Sequence, residues 1–129
     1  MGLQNSSILL RDLRDLSSVT RVLASQDLDR IIVDKVLLPP GWNRPHTRML
    51  VEIPEDYPFS PPGVDPSRIF LETGLRFKGR VPTDYHEGYR IDGYGWAWLC
   101  YQSIDWQTQR DNLISLLERV RADLSKPSL

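Results

Sequence analysis

The stretch Ile53-Pro54-Glu55-Asp56-Tyr57-Pro58-Phe59-Ser60-Pro61-Pro62 decides how this chain is read. Together with Pro66 it places five prolines between positions 54 and 66. Proline fixes φ, lacks an N–H donor and pushes the residue before it towards extended geometry. The segment therefore reads as a stiff loop that continues neither a helix nor a central strand. Tyr57 and Phe59 sit inside the run, placed to pack inward as anchors. The alternative is a polyproline ligand for an aromatic-lined groove, and two rings within the run disfavour it.

Upstream of the loop, Arg48 to Ile53 alternates Leu50 and Glu52 against Met49, Val51 and Ile53, the period of a strand. Arg30 to Leu38 is rich in β-branched and aliphatic residues (Ile31, Ile32, Val33, Val36) and predicts a well-buried strand. Pro39-Pro40-Gly41 stops it. Val19 to Ala24 predicts another strand, with a polar turn over Ser25 to Asp29. Connections this short leave no room for crossover helices, so the strands form an antiparallel meander. Before them, Leu9, Leu13 and Leu16, with Leu10 beside them, line one face of a helix over Ser6 to Val19. Arg11, Asp12, Arg14 and Asp15 are assigned to its outer face, and Ser6 and Ser7 serve as caps.

Downstream, Ile69 to Leu71 predicts a short strand. Glu72 to Gly95 reads as loop, with glycines at 74, 79, 88, 93 and 95. Loops of that length in compact domains are uncommon and frequently functional. This one leads into Tyr94, Trp96, Trp98 and Tyr101 around Cys100. Leu113, Leu116, Leu117, Val120 and Leu124 then fall on one stripe, predicting a helix from Gln109 to Ser125 that Pro127 ends. Thr108-Gln109-Arg110-Asp111 is read as its capping box, with aspartate in the glutamate position. No repeat divides the chain, so residues 1–129 are expected to form one α+β domain.

Composition narrows the function classes. Hydrophobic residues make up 40% and charged residues 26% of the 129, the balance of a folded chain. A formal net charge of −1 gives no overall attraction to nucleic acid or an anionic membrane. No apolar run approaches the roughly 20 residues a membrane span needs. Cys100 is the sole cysteine, so no internal disulfide forms, and a cytoplasmic setting is expected. Two histidines and one cysteine without paired spacing do not suggest a metal site. Neither a G-x-x-x-x-G-K-[ST] loop nor a G-x-G-x-x-G fingerprint occurs, so no cofactor is expected. Trp42, Trp96, Trp98 and Trp106 read as core and loop anchors rather than a platform for bases.

The order of elements, with the Tyr57-Pro58 and Pro61-Pro62 pairs after a strand and Cys100 followed by Trp106 and a helix, resembles the ubiquitin-conjugating enzymes. The pattern Leu37-Leu38-Pro39-Pro40-Gly41-Trp42-Asn43, then the Tyr-Pro loop, then Trp96 to Trp106, is most similar to divergent bacterial members. The resemblance implies an N-terminal helix, a four-stranded antiparallel meander and a C-terminal helix, without the family's later helices. It also implies a carrier that accepts a ubiquitin-like protein as a thioester from an activating enzyme and passes it to an amine. A deconjugating metalloprotease often belongs to the same bacterial pathways. The alternative is a non-catalytic module of that fold that grips a ubiquitin-like protein or a peptide.

On this resemblance Cys100 is the acceptor thiol. Its buried-structural reading stays open, because cysteine is among the most buried residue types. The family's His-Pro-Asn tripeptide has no counterpart, and the nearest histidine is His86, fourteen positions before Cys100. His86, or backbone N–H groups near Gly93 to Gly95, are the candidate oxyanion donors, and Asp105 is the candidate orienter of an incoming amine. Arg11 and Arg14 on the first helix, with Tyr57 and Trp106, are the candidate partner-binding residues.

Overall fold

The computed structural model describes residues 3–129, and side chains from position 7 onward. Helix α1 (Leu3–Ser17) is followed by β1 (Val22–Ala24), β2 (Arg30–Leu37), β3 (His46–Glu52), β4 (Ile69–Glu72), β5 (Tyr85–Ile91), β6 (Tyr94–Leu99) and α2 (Leu113–Ser125). The six strands form one antiparallel sheet in the order β1-β2-β3-β4-β6-β5. The fold is α+β, as expected, and its first four strands are a meander. The sheet nevertheless has six strands rather than four. β6 returns to pair with β4, which leaves β5 on the edge.

β5 and the first two residues of β6 fall in the segment read as loop, and the rest of β6 lies in the aromatic cluster that follows it. The glycines of that segment do not break the sheet, because each of two meets a local demand. Gly88 (φ 107°) sits at the register shift between His86 and Tyr89, where an extra residue needs a backbone that other side chains resist. Asp92 (φ 51°) and Gly93 (φ 85°) are the two central residues of the β5–β6 turn, and Ile91 pairs directly with Tyr94. Two consecutive positive φ values make the tight turn whose twist matches the flanking strands.

Strand alternation sorts the side chains onto two faces. Ile31, Val33, Met49, Val51, Ile69, Leu71, Ala97 and Leu99 join the buried residues of both helices in the main core. Leu50, Phe70 and Trp96, flanked by Ile32, Tyr89, Ile91 and Trp98, form a second cluster made of strand residues alone. Both helices thus serve one face, and the aromatic pairs on the other shield the sheet from water. Arg68 lies over the Trp98 ring at 4.8 Å, a contact that covers part of that face.

Three local readings change. The helix begins by Leu3, so Ser6 and Ser7 lie inside it rather than capping it. Asp12 is buried, not outward: three residues after Leu9 and four before Leu16, it belongs to the inner stripe. Helix α2 starts at Leu113, not Gln109. Asn112 Oδ1 accepts the Ser115 N–H at 2.9 Å, and Ser115 Oγ returns the bond to the Asn112 N–H at 2.9 Å. Asp111 instead accepts the Gln107 N–H at 2.7 Å, which holds a turn ahead of the helix.

The proline-rich loop is anchored by one ring, not two. Tyr57 is 1% exposed, whereas Phe59 is 64% exposed. The Tyr57–Pro58 and Asp65–Pro66 bonds are cis. Gly41 (φ 108°) lets the chain pass Phe77, since a Cβ there would meet Phe77 Cε1 at 2.6 Å.

Candidate functional site

Cys100 follows β6 directly. Its N–H donates to the Asp84 carbonyl at 2.8 Å, extending the β5–β6 pairing by one step. The chain then leaves the sheet. Tyr101 bridges Val64, and its hydroxyl donates to Asp123 Oδ2 on α2 at 2.7 Å. Burial, reinforced by that bond and by the carboxylate charge, pushes the Tyr101 pKa well above the ordinary phenol value. On the other side Trp42 Nε1 donates to the Leu124 carbonyl at 2.8 Å, tying the Pro39–Trp42 turn to the end of α2.

Between these ties lies a cleft of about 410 Å³. Leu71, Tyr85, Leu99, Cys100 and Tyr101 line it from the sheet, Arg119, Asp123 and Leu124 from α2, and Lys126, Pro127 and Ser128 from the segment beyond. Cys100 is a partly exposed residue that lines the cleft. The Tyr85 hydroxyl donates to the Glu72 carbonyl and accepts the Leu75 N–H. Burial pushes its pKa up to about 12. Arg119 Nε is buried without a hydrogen-bond partner among the described residues.

The sequence-based catalytic candidates separate. Cys100 lines the cleft, and His86 and Asp105 do not. His86 pairs across the strands with Trp98, and its ring centroid lies 5.7 Å from the Trp98 ring. With Asp84 bonded to Cys100, the register makes His86 and Cys100 diagonal neighbours, roughly 7–8 Å apart. No hydrogen bond joins the two among the described residues. Asp105 is exposed and accepts from Gln107 Nε2 at 3.4 Å. The Gly93–Gly95 backbone cannot serve as an oxyanion hole, because it lies at the far end of β6. Five residues of strand from Gly95 to Cys100 span roughly 16 Å.

Of the partner-binding candidates, Arg11, Tyr57 and Trp106 are linked through shared contacts, and Tyr57, almost wholly buried, is corrected to a core anchor because a sealed ring offers a partner no surface. Arg11 donates to Asp12 Oδ1 through Nε and Nη2 at 3.2 and 3.1 Å. Tyr57 donates to Asp12 Oδ2 at 2.5 Å. The Trp106 ring lies 6.1 Å from the Tyr57 ring, and its Nε1 donates to the Pro58 carbonyl at 2.8 Å. One connected set of contacts therefore runs from α1 through the proline-rich loop to the segment after Cys100. Arg14 is exposed one turn beyond Arg11.

Thr83, Asp84, Arg119 and Asp123 escaped the sequence reading. For the last two the signal was the i, i+4 spacing of opposite charges beside the apolar stripe of α2. Thr83 and Asp84 had none, since their role depends on the β5–β6 register. Compared with known proteins, the chain matches no family model, no curated protein and no solved structure.

Proposed function

We propose that this domain is a carrier of the ubiquitin-conjugating-enzyme type, bearing a ubiquitin-like protein as a thioester on Cys100. The observation that carries the reading is the position of the sole thiol: partly exposed, at the end of a central strand, in a cleft bounded by the last helix. The buried Tyr57 of the Tyr-Pro loop and its contact with Trp106 after the cysteine support it, because both motifs of the resemblance meet in one packing unit.

The chemistry asks little of neighbouring groups in its first step. The Cys100 thiolate attacks the carbonyl carbon of a thioester on an activating enzyme. A C–S bond forms to Cys100, the C–S bond to the donor sulfur breaks, and the departing thiolate takes up the proton Cys100 lost. The exchange is nearly balanced because both groups are thiols. In the second step an amine attacks the same carbon, a C–N bond forms, and Cys100 leaves as thiolate while the nitrogen gives up a proton. No electrons are gained or lost overall.

A second reading is favoured by the absence, among the described residues, of any hydrogen bond from His86 or Asp105 to the thiol. In it the same scaffold is a catalytically inactive module that grips a ubiquitin-like protein or peptide. Incubation with the cognate activating enzyme, ATP and ubiquitin-like partner separates the two. The carrier forms an adduct that reducing agent removes and that C100A lacks. No adduct with verified partners selects the binding module.

A further inference from the structure

We infer that Lys126–Ser128 is a displaceable strap that gates access to the Cys100 cleft. Helix α2 stops at Ser125, where Lys126 turns out of helical geometry (φ −140°, ψ 65°) and bonds back to the Asp123 carbonyl. Pro127 cannot extend the helix. The segment is carried across the sheet edge instead, where the Ser128 carbonyl accepts from the Thr83 N–H at 2.8 Å and from Thr83 Oγ1 at 3.3 Å.

The attachment point is one residue from the one that holds the Cys100 backbone. Thr83 holds the strap, and Asp84, the next residue, holds the Cys100 N–H. Lys126, Pro127, Ser128 and Cys100 line the same cleft. The walls differ in how firmly they are set. Trp42 is fixed to the Leu124 carbonyl and Tyr101 to Asp123, with apolar packing behind both rings. Beyond the Lys126 turn the strap's hydrogen bonds all end on one carbonyl, and Lys126 and Ser128 are exposed. A segment with few buried contacts opens locally, at a small fraction of the cost of unfolding the sheet.

Opening does two things at once. It widens the approach to Cys100, and it frees the Thr83 N–H and hydroxyl as donors. An extended peptide offering a backbone carbonyl satisfies both and takes the strap's place. As regulation of acyl loading the inference rests on the carrier reading; as geometry it does not.

The test is the rate at which iodoacetamide alkylates Cys100 in the full chain. T83P removes both donors at once, and P127G loosens the strap while leaving Thr83 intact. Each variant is expected to react several-fold faster than the parent, up to about thirtyfold for T83P, the factor that two lost hydrogen bonds of ordinary net strength produce. In the unaltered chain, the Thr83 amide is expected to exchange its hydrogen faster than the Cys100 amide, since only the first depends on the strap. Unchanged alkylation in both variants, or joint exchange of the two amides, overturns the strap. Faster alkylation without thioester loading keeps the strap and removes the carrier. Normal loading with unchanged alkylation does the reverse.

Discussion

The Tyr57 hydroxyl donates a 2.5 Å hydrogen bond to Oδ2 of Asp12, and both residues are almost wholly buried. A carboxyl group taken out of water needs partners that replace the water it loses. Asp12 has Tyr57 on one oxygen and Arg11 on the other. The bond fixes the first helix against the proline-rich loop, and Trp106, packed on the same tyrosine, extends the tie to the segment after Cys100. The docking angle of α1 and the course of the chain beyond the thiol are therefore set by one ring.

A graded mutation series follows from that arrangement. Y57F keeps the ring and strips one partner from Asp12, for an expected cost of about 1–3 kcal/mol. Y57A adds the cavity and is expected to cost about 3–5 kcal/mol. R11A strips the charged partner from a buried carboxylate and is expected to cost about 1–3 kcal/mol. Urea unfolding at neutral pH measures all three. A Y57F chain as stable as the parent would show that the Asp12 bond contributes nothing.

Three of the five tyrosines, Tyr57, Tyr85 and Tyr101, have raised pKa values, burial being the first cause in each. A raised phenol pKa means that the folded chain favours the neutral form. The associated stability is fully present below the unfolded value near 10.0 and is lost as pH rises beyond it, through about 12 for Tyr85. Stability is expected to fall above pH 10, and ultraviolet titration is expected to show only part of the phenolate signal near that pH. Full ionisation of all five while the chain stays folded would contradict the burial. On the acid side, Glu87 is depressed by its bonds to Arg76 and Gly74, and Asp111 by the Gln107 N–H. Their contributions are present above their ordinary values of 4.5 and 3.8 and decline as pH falls through the lower folded values.

The start of α2 offers a sharper contrast. N112A is expected to destabilise by about 1 kcal/mol, because it removes one arm of a reciprocal cap. T108A is expected to change stability by less than about half a kcal/mol, since Thr108 lies within the turn ahead of the helix rather than at its cap. Thermal unfolding of the two variants distinguishes the caps; equal effects would return the helix start to Gln109.

Much of the fold was legible, and the gaps have physical reasons. The apolar stripes of both helices and the runs Arg30 to Leu38 and Arg48 to Ile53 carry the periods of the elements found there, with strand ends that differ by one or two residues. The β5–β6 hairpin is hidden because five glycines between positions 74 and 95 resemble a loop unless their positions are matched to a bulge and a turn. Ile91-Asp92-Gly93-Tyr94 contains the Asp-Gly pair that marks a two-residue turn. The cap at Asn112 was passed over because its reciprocal partner is Ser115 rather than glutamate or glutamine. For the site, Cys100 was legible as a lone thiol among aromatic residues. The cleft around it was not, because its walls come from positions as far apart as Trp42 and Ser128.

His86 supplies the most discriminating test of chemistry. Its register with Trp98 makes it a diagonal neighbour of Cys100, and no hydrogen bond joins the two among the described residues. A group so placed has little to offer thiol exchange, where attacking and departing atoms are alike. It has more to offer when an amine attacks, since an oxyanion then needs a donor and the nitrogen must lose a proton. On the proposed carrier reading, H86A is expected to slow discharge to an amine, by about tenfold or more, while loading changes little. Single-turnover measurements of the two steps, each over a range of pH, provide the readout. Equal slowing of both steps would assign His86 to packing against Trp98, and H86Q, which keeps a side-chain donor, should then restore neither step selectively.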